Sequence, residues 1–283
     1  MPLPGNLRRT AFLLAYPVML LANPLLGQAF PSRSQDYVFT SLVDDVRALW
    51  VNPAGLAVVR EASIMAETVF ERPELGDIRL AQWSLAFNSS GLSVGYQRDR
   101  LQSDSANHTL RIGLARPFRR GSFGIDLSFY SSDQSDQGLN TGLNYRLLPW
   151  LRGTLVVRNV GQPVVRSVKL PITGIAGLGC SVAGGAVQLA GEVLAQNRVA
   201  ATGAEMSYRV GARFATPTPI PIAAVVAVGL GSDVAVDRWF LGLAVGGSRR
   251  AMVGGTFLSR ESSRLDAVSV TALATNRQTP VRR

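Results

Sequence analysis

Cysteine, histidine and lysine are almost missing from this chain of 283 residues: Cys180, His108 and Lys169 are each the only residue of their kind. A single thiol cannot form an internal disulfide, so an exported protein with this sequence must be held together by other means. A single histidine leaves Ser-His-Asp and Cys-His chemistry with at most one general base, and no second member lies near it in the sequence. His108 sits in a polar stretch and reads as a surface loop residue. No Cys/His cluster has zinc spacing, and no Gly-x-x-x-x-Gly-Lys is present to cradle a phosphate. Gly179-Cys180-Ser181-Val182-Ala183 imitates a nucleophile elbow, but it lacks the final glycine and lies between two strand-like segments. We therefore expect no enzyme, no cofactor and no metal site.

Long apolar runs are also missing beyond the first thirty residues. Arg8 and Arg9 precede an apolar run from Ala11 to Leu26, and Gly27-Gln28-Ala29 supplies small residues at a cleavage site, so residues 1–29 are expected to be a signal peptide. Pro17, Asn23 and Pro24 interrupt that run and argue against a membrane anchor. Removing 29 of the 283 residues leaves 254, enough for one large domain, and no linker divides them. Mean hydropathy is slightly positive at +0.17, yet no later stretch is long enough to be a transmembrane helix.

Net charge is +10, which taken alone would suggest an anionic partner. The basic residues are scattered arginines with no aromatic interleaving, unlike a nucleic-acid groove, and we expect no nucleic-acid partner. An arginine-lined interior accounts for them better.

What the sequence does have is a period of two. Trp83, Leu85 and Phe87 alternate with Gln82, Ser84 and Ala86, and Leu92, Val94 and Tyr96 continue beyond the turn at Asn88-Ser89-Ser90-Gly91. Phe123, Ile125, Leu127 and Phe129 oppose Ser122, Gly124, Asp126 and Ser128, and Met206, Tyr208, Val210, Ala212 and Phe214 oppose Glu205, Ser207, Arg209, Gly211 and Arg213. Strands are expected at 62–71, 78–88, 91–99, 107–116, 121–131, 138–147, 150–159, 171–181, 184–195, 203–214, 221–231, 237–247, 250–259 and 264–273. Fourteen strands of about ten residues suit an antiparallel transmembrane barrel, with twelve as the other even count.

The connections alternate too. Those at 100–106, 132–137, 160–170 and 196–202 are longer and polar, whereas Ser89-Ser90, Leu148-Pro149 and Val182-Ala183 are tight, with two six-residue exceptions around Pro117 and Pro217. Bacterial barrels show this difference between outer loops and periplasmic turns. Leu, Val, Phe and Tyr are expected to meet lipid, because a charge at the midplane of that face costs about 2–4 kcal/mol. The lumen would then hold Arg111, Arg146, Arg209 and Arg213 with Asp126, Glu192 and Glu205, either paired with one another or solvated. Trp83, Tyr96, Tyr130, Trp150, Trp239 and Phe240 fall near strand ends and suggest interfacial belts.

Before the first strand, Asp44-Asp45-Val46-Arg47-Ala48-Leu49-Trp50-Val51 is followed by Asn52-Pro53-Ala54-Gly55-Leu56-Ala57. Pro53 disfavours helix at Asn52, so a short helix should end near Val51 and run into a turn whose free backbone groups Asn52 can satisfy. This stretch resembles the N-terminal signature of the FadL and PorV-like outer-membrane barrels. Arg158-Asn159-Val160-Gly161-Gln162 also looks like a strand-end segment of the short PorV-like branch. The resemblance implies an all-β barrel of fourteen strands with a short N-terminal helical plug.

On this basis we expect a plug at 30–61, a barrel at 62–274 and a basic tail at 275–283, with Asp44, Asp45, Asn52, Pro53, Ala54 and Gly55 as plug or gate residues and residues 36–57 closing the barrel from the periplasmic side. The short loops favour a secretion-associated or scaffold barrel, with outer-membrane lipid and secretion-machinery proteins as partners. The other reading is a plugged channel for a small hydrophobic or anionic solute. The expected location is the outer membrane of a Gram-negative-type envelope.

Overall fold

The computed structural model describes residues 32–71, 78–100, 106–131, 135–197, 204–247, 249–258 and 264–276. The expected leader and nearly all of the expected tail lie outside them.

The alternating segments form β1 (Ala62–Glu71), β2 (Arg79–Ser89), β3 (Leu92–Arg100), β4 (Ala106–Phe118), β5 (Gly121–Ser131), β6 (Ser135–Leu148) and β7 (Leu151–Val160). A small hairpin of β8 (Val164–Val165) and β9 (Val168–Lys169) follows. The chain then continues through β10 (Thr173–Val182), β11 (Val187–Asn197), β12 (Ala204–Ala215), β13 (Ile222–Leu230), β14 (Val236–Val245), β15 (Arg249–Leu258) and β16 (Arg264–Thr275). Apart from the hairpin, each strand pairs antiparallel with its sequence neighbours, and β1 pairs with β16, closing a barrel of fourteen strands. Closure leaves no strand edge unpaired, the condition for a sheet to sit in lipid. The expected fourteen-stranded all-β barrel is therefore what the chain forms, with strand ends shifted by a few residues.

Leu110, Ile112 and Leu114 are 39%, 45% and 51% exposed, while Arg111 between them is 8% exposed. The same contrast runs around the wall, so the outer surface is an apolar band and polar or small residues face inward. Two expected belt residues break the rule. Tyr130 and Phe240 are buried and face the lumen, because each lies in register with the inward set of its strand. Trp83 meets Tyr96 at a tilt of 50° and Trp239 lies flat on Phe257, on the outward face. His108 is part of β4 and not of a loop, and its Nδ1 lies within hydrogen-bond distance of the Tyr96 hydroxyl.

Of the connections expected to be long, residues 101–105, 132–134 and 198–203 lie outside the described residues, and the remaining connections differ between the two ends of the barrel. One end has tight turns such as Ser90-Gly91, Arg119-Arg120 and Pro149-Trp150. Ser90 and Gly91 both take positive φ, as a type I′ hairpin requires. At the other end the connection at 161–172 carries the β8–β9 hairpin, whose Val165 packs with Tyr130 and Leu170.

Residues 32–61 lie in the lumen. They form α1 (Ser34–Tyr37), α2 (Ala48–Val51) and a 3-10 turn over Pro53–Ala57, then leave at the short-turn end to start β1. α1 reaches the long-connection half, where the Arg33 amide donates to Gln82 and its guanidinium pairs with Glu71 and Asp266. The segment thus traverses the lumen instead of closing only the short-turn mouth.

Candidate functional site

The centre of the lumenal segment is the Asn52-Pro53-Ala54-Gly55 turn. Pro53 forces Asn52 out of the helical region (φ −157°, ψ 103°), which ends α2 and directs the Asn52 side chain back over the turn. Its Oδ1 accepts from the Ala54 amide at 3.1 Å, and its Nδ2 donates to the Thr40 carbonyl at 2.9 Å and to Asn144 Oδ1 at 3.1 Å. One buried side chain therefore joins the Asn52 turn, the turn at Thr40 that precedes α2 and the barrel wall. Leaving such an amide unsatisfied costs about 1–3 kcal/mol. Ser122 Oγ donates to the Ala54 carbonyl at 2.7 Å, fixing the same turn to β5.

The wall makes room by omitting side chains. A Cβ at Gly142 would stand 2.0 Å from Asn52 Oδ1, and one at Gly124 would stand 2.4 Å from the Pro53 carbonyl. Gly95 and Gly113 leave space for Leu49 and Trp50, Gly179 for Ser41 and Gly211 for Phe39. Alternation had placed glycines on the inner face, but it carried no sign that they are a receptacle for this segment.

Inward arginines cap the carbonyls of the segment. Arg111 donates to the Leu49 carbonyl at 3.1 Å and lies over the Trp50 ring. Arg158 donates to the Val51 carbonyl and to the Gln35 side chain. Arg209 donates to the Val38 carbonyl at 2.9 Å, lies over the Phe39 ring and pairs with Glu192. The carbonyls of a helix end are electronegative and unpaired, so cations suit them. Glu192 in turn accepts from the Thr40 hydroxyl at 2.7 Å.

Of the seven expected lumenal charges, the structure pairs Arg209 with Glu192 and brings Arg111 to 3.9 Å from Asp126. Arg146 is exposed near the short-turn rim and Glu205 is exposed near the other rim, so neither joins this collar. Arg213 lies apart, beneath the segment, beside Arg47 and Arg250. Arg158, Arg152 and Arg250 were not among the expected residues, although strand parity puts each on the inner face and was signal enough to find them.

Of the two acidic residues before α2, Asp45 is buried and Asp44 half-buried. Asp45 accepts from the Arg47 amide and guanidinium and from Arg250 Nη2 at 2.6 Å on β15. Burial alone would raise its pKa, but the two guanidiniums outweigh burial and hold the carboxyl well below the usual range. Gly55 is buried against Ala48 and the Val43 carbonyl. Among the described residues no group of His, Cys, Asp and Glu could hold a metal ion.

On the long-connection side of the collar lies a cavity of about 400 Å³. Trp50, Tyr130, Leu194 and Phe240 give it apolar surface, and Arg111 and Arg158 give it positive charge. Its size falls within the usual range for small-molecule sites.

No protein-family model matches the sequence, and no curated protein matches it. Solved structures do match the fold. The Ralstonia pickettii toluene transporter TbuX is similar with a TM-score of 0.57 and 10% identity over 90% of this chain and 100% of that one. The CymD monoaromatic hydrocarbon channel gives 0.54 and 12% over 90% and 98%. A Pseudomonas aeruginosa FadL homologue gives 0.50 and 9% over 88% and 98%. At these identities what is shared with this chain is the barrel fold.

Proposed function

We propose that the protein is an outer-membrane channel that admits a small hydrophobic or anionic solute, with residues 32–61 acting as its plug. The observation that carries this is the 400 Å³ cavity, which combines aromatic surface with the guanidiniums of Arg111 and Arg158 and ends at the segment tied down by Asn52. Such a lining suits a molecule with an apolar body and an anionic or polar end. The apolar outer band suits lipid as the surrounding partner, and the short-turn end would face the periplasm. The structures with similar folds include proteins described as a monoaromatic hydrocarbon channel and a toluene transporter, which supports solute passage. They lend no support to the PorV-like, secretion-associated reading.

The test is purified protein in liposomes offered labelled toluene and labelled benzoate. Flux of at least one probe above protein-free liposomes is expected, and deletion of residues 36–57 should raise it. Impermeability of both forms to both probes would overturn the proposal.

A further inference from the structure

A second cavity, of about 80 Å³, lies on the opposite side of the lumenal segment, toward the short turns. Its lining is mixed: Arg47, Arg213 and Arg250 stand among apolar residues that include Phe39, Val225 and Met252. Asp45 is buried and already shared between Arg47 and Arg250, and half-buried Asp44 stands near the same group. Arg213 is half-buried on β12 and makes no hydrogen bond or ion pair among the described residues. Three guanidiniums gather here against two carboxylates, which leaves the group short of an anion.

We infer that Arg213, Arg47 and Arg250 form an anion site on the short-turn side of the segment, which takes the carboxylate end of a short-chain monocarboxylate. The apolar lining sets the class, since a purely inorganic anion would leave Phe39, Val225 and Met252 facing its hydration shell. This cavity is smaller than the 400 Å³ one, so a short-chain acid is the probe. The site goes beyond the uptake proposal, because the 400 Å³ cavity and the Asn52 turn play no part in it.

Met252 supplies a local reporter. The full barrel, carrying ¹³C-methyl methionine in a non-ionic detergent, is titrated with sodium butyrate, and the Met252 signal is assigned by its loss in Met252→Leu. Butyrate should shift that signal saturably, whereas n-butanol and inorganic phosphate should not. Arg213→Met should weaken the response at least tenfold, and Arg213→Lys should weaken it less, which keeps the test usable if the Met variant does not fold. An unmoved Met252 signal, equal binding to Arg213→Met, or phosphate binding as tight as butyrate would each overturn the site. The titration reads a closed barrel at equilibrium, so failure of liposome flux leaves it standing, and failure of the titration leaves the uptake proposal standing.

Discussion

The wall formed by β4, β5 and β6 and the wall formed by β13 to β16 hold the same lumenal segment by different physics. The first offers Gly113, which makes room for Leu49 and Leu56, and Ser122, Gly124, Gly142 and Asn144, which leave backbone-sized space and directional hydrogen bonds for the Asn52-Pro53-Ala54 turn. The second offers Val225, Ala227, Phe240, Ala244, Met252 and Leu273, which join Tyr37, Val38, Phe39 and Val43 in one apolar cluster. Phe240 stacks on Tyr37 at 4.8 Å between ring centroids. Hydrogen bonds at fixed lengths admit one placement of the segment, whereas apolar burial rewards contact in many placements. The glycine wall therefore specifies the position and the apolar wall adds strength to it.

The contrast is broken most directly on the glycine wall. Gly142→Val would put a branched side chain where Asn52 Oδ1 now lies, 2.0 Å from the new Cβ, and the turn must leave. The expected outcome is loss of amide-exchange protection over residues 52–57 and a rise of single-channel conductance toward that of the 36–57 deletion. The barrel itself should still show heat-modifiable migration, because β6 keeps its ladders with β5 and β7. Unchanged protection in this variant would mean that β6 is not the seat of the turn.

Between the two walls lies the Asp45 bridge to Arg250 on β15, and its loss should be the next largest effect. Asp45→Asn leaves two guanidiniums without their shared carboxylate, a class of change that costs about 3–5 kcal/mol when the pair is buried. The bridge also fixes a pH window. The carboxyl is held below its ordinary value, so its contribution is fully present above about pH 4, where it would ionise even in the unfolded chain, and fades only as pH falls toward the lower folded value. The bridge's own contribution to conductance should therefore be flat from pH 8 to about pH 4 and change only in stronger acid. Asp45→Asn should conduct more at every pH in that range. A parent channel that opens between pH 7 and pH 5 would show that another group controls the segment.

Alternation made the barrel legible because each strand buries one face and exposes the other, so Leu127 and Ser128 announce their sides without any knowledge of partners. The turn at Asn52 was legible for a local reason as well, since proline restricts the residue before it. Contacts between distant segments were not legible. Nothing local to Gly124 indicates that Pro53 lies against it, and nothing local to Arg158 indicates that its partner is the Val51 carbonyl. Tyr130 and Phe240 were assigned to interfacial belts from position near strand ends, although parity alone puts both inside. A polar lumen was the expectation, and it holds for β2 to β6. Along β13 to β16 the inner face instead carries Val225, Ala227, Phe240, Ala244, Met252 and Leu273, which pack on apolar side chains of the segment.

The smallest effect is expected where the contrast predicts tolerance. Met252 on β15 is 6% exposed and packs in the apolar cluster, so Met252→Leu changes shape while nearly conserving volume. Swaps of this kind usually cost less than about 1.5 kcal/mol, and here the loss is shared with the neighbouring Val225, Ala244 and Leu273, which adjust to the new contour. Conductance and exchange protection over residues 52–57 should match the parent protein, with at most a few degrees of change in thermal unfolding. The comparison with Gly142→Val carries the weight: a few added atoms on the glycine wall should unseat the segment, while a whole side chain exchanged on the apolar wall should not. If Met252→Leu opened the channel as far as Gly142→Val, position would be set by packing against β13 to β16, and the hydrogen bonds of Asn52 would follow that placement instead of dictating it.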